Sequence, residues 1–201
     1  MVDAGSRMPD ASQTASDLVP GAWCLVSGTS GAILTEHMFV LGIDPGLSAT
    51  GYGIVEAGRS PRAVAAGVVR TDPRLPLAER LCELSDDLSA VIREYRPTEA
   101  AIEEVFVNRN LQTVMSVGRA SGVAVLAAAR AGLRVTEYTP SAVKLAVTGY
   151  GDAAKEQVQA MVARRLGLPA APVPADAADA LAVALCHLQA TALRGLIGER
   201  S

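Results

Sequence analysis

Three apolar runs, FVLGID from Phe39, TGYGIVEA from Thr50 and RAVAAGVVRT from Arg62, constrain the fold of this chain more than any other feature. Gly, Pro and Ser punctuate gaps between them that are short enough for antiparallel hairpins, so a three-stranded meander is expected. Beyond it the period changes. LAERLCELSDDLSAVIREY carries Leu77, Leu81, Leu84, Leu88, Val91 and Ile92 at helical spacing, and Pro97 stops it. EAAIEEVF, from Glu99, reads as a short buried strand. A long Ala/Gly-rich helix is expected from Leu111 to Ala131, then a strand LRVTEY, then helices starting at Ser141, Ala153 and Pro174. The sum is an α/β chain with a mixed five-stranded sheet, three strands antiparallel and the later ones parallel, flanked by helices.

At 201 residues, half of them apolar, the chain can bury one core, which predicts a single domain over residues 38–201. Residues 1–37 are rich in Ser, Thr, Gly, Ala and Asp without a sustained period and read as a disordered extension; Met38 stands where a natural start would fall. Cys24, Cys82 and Cys186 are far apart and form no C-x-x-C pair, which argues against a disulfide framework or a zinc site and suits a reducing cytoplasm. His37 and His187 join them in no legible nucleophile arrangement. No uninterrupted apolar run reaches the ~18 residues of a membrane span, and Pro20 and Gly21 break the early segment against a signal peptide.

Net charge is −3, yet the average misleads. Residues 1–37 hold Arg7 against Asp3, Asp10, Asp17 and Glu36, which leaves the remainder balanced at 17 basic and 17 acidic residues. Within residues 105–172, eight basic residues face three acids, a local excess suited to a polyanion.

Acids in three segments are candidates for the chemistry. Asp44 ends the first strand, where open α/β sheets place ligand-binding side chains, although Asp before Pro-Gly is also ordinary turn chemistry. Glu103 and its neighbour Glu104 sit in an apolar strand whose alternation sends only one of them to each face. An inward carboxylate there is costly unless a cation or donor meets it. Asp176 and Asp179 are three apart on a helix, hence on one face, and serve equally well as an N-cap and a first-turn acid. Gathered together, four such acids would raise one another's pKa values unless a divalent cation neutralised them. Hard oxygen ligands suit magnesium or manganese, and two ions ~4 Å apart suit phosphoryl transfer.

The segments LGIDPGLSATGYGIV, AIEEVF, VKLAVTGYGDAAKEQVQAMV and ADAADALAVAL, in this order and spacing, resemble the RuvC Holliday-junction resolvases over residues 38–195. The resemblance implies an RNase H-like fold, a homodimer in the cytoplasm, two Mg2+ per active site with Mn2+ as a substitute, and paired nicks across a four-way DNA junction. It also implies the branch-migration proteins RuvA and RuvB as partners. By motif it assigns Asp44, Glu103, Asp176 and Asp179 as catalytic, metal-holding residues and gives Glu104 no role. Lys144 and Lys155 fall on lysines that hold DNA phosphates, although either is equally a solvated helix lysine. Phe106 falls on an aromatic that stacks on a base near the junction centre, against the ordinary reading of core packing. Asn108, Arg109, Asn110 and Gln112 would line the same DNA path, and part of the helix from Leu111 would form the two-fold contact.

Two rivals are an actin-like ATPase or kinase, which shares an acid-and-glycine hairpin, and a junction-binding protein without catalysis. The first is opposed by a single GIDPG hairpin, a chain short for two lobes and the lack of a P-loop. The second predicts binding without cleavage.

Overall fold

The computed structural model describes residues 38–105 and 111–197. The expected extension over residues 1–37 lies outside them, as do Phe106, Asn108, Arg109 and Asn110. β1 (Phe39–Asp44), β2 (Ala49–Glu56) and β3 (Arg62–Arg70) form the antiparallel meander. α1 (Leu77–Tyr95) leads to β4 (Glu99–Glu103), which pairs parallel with β1. α2 (Leu111–Arg130) crosses to β5 (Arg134–Tyr138), parallel to β4, and α3 (Pro140–Thr148), α4 (Lys155–Arg165) and α5 (Ala175–Ile197) complete the chain. The strand order is β3-β2-β1-β4-β5, the mixed five-stranded sheet that the sequence predicts.

Strand alternation divides the core in two. Leu41, Ile43, Ile54 and Ile102 point to one face, where Leu84 and Leu88 of α1 and Ala120 and Ala124 of α2 cover them. Val40, Val55 and Ala101 point to the other, against Leu181 and Leu185 of α5, with Val143 of α3 and Val158 and Val162 of α4 behind. All are buried, so each face of the sheet is sealed by helices.

α5 lies unusually close to the sheet. A Cβ on Gly42 would stand 2.1 Å from the Ala180 carbonyl oxygen, and one on Gly51 would stand 2.0 Å from that of Asp176. Only glycine permits backbone to approach backbone in this way. α2 is the one described helix with the length and average apolarity of a membrane span, yet its alanine face is committed to α1, β4 and β5.

Several boundaries differ from expectation. β4 stops at Glu103, so Glu104 and Val105 fall outside the strand, the Glu104 N–H donating to the Tyr138 carbonyl at 2.8 Å. α4 starts at Lys155 rather than Ala153, with the Gln157 side chain accepting from the Ala154 N–H at 3.0 Å. α3 starts one residue early, at Pro140, because Thr139 caps it through the Ala142 N–H at 3.2 Å. Asp176 lies inside the first turn of α5 and is not its N-cap.

Candidate active site

The face of the sheet toward α5 carries Val40 and Gly42 on β1, and by the same period-two alternation Asp44 follows them. On β4 the same face carries Glu99, Ala101 and Glu103. Ile43 pairs with Ile102 in parallel register, so Asp44 and Glu103 end neighbouring strands side by side. Strands in a sheet lie about 4.8 Å apart, which leaves two carboxyls with nowhere to separate. The turn behind Asp44 is held from both sides. The Thr50 hydroxyl donates to the Gly46 carbonyl at 2.6 Å, and the Arg80 guanidinium reaches the Leu47 carbonyl and, at 2.9 Å, the Ser48 hydroxyl.

α5 brings Asp176 and Asp179 over this pair from its first turns. Burial, then the charges of Glu103, Asp179 and Asp176, push the Asp44 carboxyl up to about 8, with Lys155 offsetting part of the effect. Glu103 is also raised, by burial and then by Asp179, while a hydrogen bond with Asp44 and the charges of Lys155 and Lys144 pull the other way. In the absence of a cation, burial and these neighbours favour the protonated form of Asp44, which is hydrogen-bonded to Glu103. Lys155 Nζ lies 2.6 Å from Asp179 Oδ2, and that contact holds the ammonium above its ordinary range.

Two cavities flank Glu103. One, of about 250 Å³, is lined by Glu103, Lys144, Lys155 and Asp179 over Pro140 and Val143. The other, of about 260 Å³, is lined by Asp44, Glu103 and Glu104 with Thr113 and Val117. The lining of neither includes Asp176, which reaches Asp44 through its charge. Among the described residues no group of three or more His, Cys, Asp or Glu side chains stands as a ready metal cage. The cation in contact with an acid is the Lys155 ammonium. Asp179 and Asp176 act on Asp44 through their charges, and Lys144 and Lys155 line the Glu103 cavity. The donor set consists of carboxylate oxygens whose mutual repulsion a divalent cation would relieve, and in that respect it fits the hard ions magnesium and manganese.

Three features escaped the sequence reading. Glu104 lines the Asp44 cavity once it leaves β4, which no strand pattern announces. Arg80 braces the turn after Asp44 from α1, a contact 33 residues away in sequence. His187, read as inert, is buried and bonded to Glu99 and Tyr138.

The sheet order, with acids at adjoining ends of β1 and β4 and on the first turns of the covering helix, defines an RNase H-like nuclease. The sequence model of the family described as crossover junction endodeoxyribonuclease RuvC matches residues 40–187. A RuvC of Leifsonia xyli is 52% identical over 166 residues, covering 79% of this chain and 80% of that protein. One of Pelotomaculum thermopropionicum is 54% identical over 151 residues, covering 75% of this chain and 92% of its own length. Among solved structures, Thermus thermophilus RuvC in complex with a Holliday junction substrate matches with a TM-score of 0.74 at 41% identity, covering 78% of this chain and 96% of that one. The chain belongs to the RuvC family of crossover junction endodeoxyribonucleases. The family takes the place of the ATPase rival.

Proposed function

We propose that this chain resolves four-way DNA junctions by paired, symmetric nicks, hydrolysing phosphodiesters to 5′-phosphate and 3′-hydroxyl ends with two Mg2+ held by Asp44, Glu103, Asp176 and Asp179. The observation that carries the reading is the Asp44–Glu103 pair under Asp179, where like charges meet in a desolvated corner without benefit to the fold. The chemistry such ions supply when bound is activation of a water and stabilisation of the leaving 3′ oxygen. The protein's own part is electrostatic and positional. Lys155 balances Asp179 and stands, with Lys144, where a phosphate approaching Glu103 would pass. Phe106, with Asn108 and Arg109, follows Glu103 by only a few residues in sequence, and we assign these three to the DNA path.

The active form is a homodimer in the cytoplasm, working with RuvA and RuvB. What supports the dimer is a stripe on α2. Leu111, Met115, Gly118, Gly122 and Leu126 recur at helical spacing, opposite the buried Ala120, Ala124 and Ala127. Two-fold symmetry gives each of two equivalent junction strands one active site.

The test is a synthetic mobile four-way junction with Mg2+, with EDTA, and with linear duplex as control. Symmetric nicks confined to the junction and dependent on Mg2+ are expected. Asp44→Asn should bind the junction and leave it uncut. Equal cutting of linear duplex, or undiminished nicking by Asp44→Asn, would overturn the assignment.

A further inference from the structure

β4 carries part of the acid cluster at one end and part of a buried polar network at the other, and α5 carries the matching parts in its first turns and midway along its length. Glu103 closes β4 and Glu99 opens it, on the same face of the strand. Four residue steps along the strand separate them by about 13 Å. Asp179 lies on α5 eight residues before His187, about 12 Å along a helix axis. The two spans match, and the elements run in opposite directions: Asp179 acts on Glu103, and His187 meets Glu99.

The two ends differ in sign. At one, Glu103 and Asp179 repel. At the other, His187 Nε2 bonds Glu99 Oε2, and Arg134, the register partner of Glu99 on β5, takes Oε1. Tyr138 completes the set with its hydroxyl 2.9 Å from His187 Nδ1 and its ring edge-on to the imidazole, centroids 5.8 Å apart. A carboxylate cannot donate, so Nε2–H donates to Glu99, and in the neutral ring Nδ1 accepts from Tyr138. His187 is only 1% exposed.

We propose that His187, pinned by Glu99 and Tyr138, is a positioning residue that fixes the seat of α5 against β4 and so sets the spacing of Asp179 from Glu103 for ion binding. The inference rests on the metal-holding reading of the acids given above. Leu181 and Leu185 pack α5 against the sheet, and the bond from His187 to a buried carboxylate adds a directional constraint along the helix axis to that non-directional packing.

The experiment measures Mn2+ binding to the full chain by calorimetry, alongside the Mg2+ concentration for half-maximal nicking and the thermal midpoint. His187→Ala and the volume-preserving Glu99→Gln are each expected to weaken Mn2+ binding about tenfold or more, the scale typical of groups that orient metal ligands. His187→Gln, whose amide N–H can still reach Glu99, should recover most of that loss. Leu84→Ala, on α1 across the sheet, is the stability control: it should lower the midpoint while leaving Mn2+ affinity unchanged. Mn2+ affinity in His187→Ala and Glu99→Gln no lower than in Leu84→Ala would overturn the positioning role and leave the site reading standing. A wild-type chain that binds no Mn2+ would overturn both.

Discussion

Asp44 and Glu99 are carboxylates that burial treats alike and neighbours treat oppositely. Burial raises both, but Asp44 then meets Glu103, Asp179 and Asp176, whereas Glu99 meets His187 and Arg134, which outweigh burial and bring it below its ordinary value. The consequences for stability have opposite signs. Without divalent ions the folded chain keeps on Asp44 a proton that the unfolded chain releases near 3.8 and the folded one only at about 8. Between those values the native state binds more protons, so stability falls as pH rises through the window, and Glu103, also raised, adds to the fall. Glu99 contributes stability above the usual carboxylate range and loses it only in acid. In EDTA, the urea midpoint of the wild type should therefore drop from pH 5 to pH 8, and the Asp44→Asn curve should be flatter. Parallel curves for the two proteins would refute the coupling at Asp44.

At the scale of elements, the strand glycines set how near α5 comes. Gly42→Ala would drive a Cβ into the Ala180 carbonyl, a backbone atom that cannot swing aside, so α5 must lift with Asp176 and Asp179 aboard. A loss of about 1–3 kcal/mol is expected from such overpacking, read as a lower urea midpoint, together with weaker Mn2+ binding by calorimetry. Gly58→Ala, in a turn where the nearest atom is 3.8 Å away, should change neither. Unchanged Mn2+ binding in Gly42→Ala would mean that the seat of α5 does not govern the acids. Much of this level was legible beforehand. Period-two alternation told that only one acid of the Glu103–Glu104 pair faces inward, and the three-residue spacing told that Asp176 and Asp179 share a helix face; that Asp44 and Glu103 lie side by side came from the β1–β4 register. The glycines of β1 and β2 resist such a reading, because strand propensity disfavours them and only the arrival of α5 explains them. The Glu99–His187 bond joins residues 88 apart in sequence, and a lone histidine on an alanine-rich helix gives no sign of its partner. The end of β4 was illegible for a related reason: its pairing partner β5 ends at Tyr138, opposite Glu103, and that limit is tertiary.

For the whole molecule the open question is what covers the outer face of α2. Leu111, Met115 and Leu126 are 70%, 57% and 49% exposed, and a Cβ added at Gly118 or Gly122 would meet nothing within 4 Å. Among the described residues, then, nothing packs where these glycines lack a side chain, and each costs the helix about 1 kcal/mol relative to alanine. A second copy of the chain supplies a reason for them: two α2 helices related by a two-fold axis can approach closely only where side chains are absent. The two effects give the substitution Gly118→Ala/Gly122→Ala opposite signs in two measurements. The monomer at high dilution should gain stability, by up to about 2 kcal/mol for the two sites together. The dimer, by sedimentation equilibrium, should already dissociate at higher concentration than the wild type. On a four-way junction the same variant should accumulate singly nicked product near its dissociation concentration, because each protomer keeps its acids but loses its paired partner. A gain in monomer stability with an unaltered dimer constant would place the two-fold contact elsewhere on the molecule.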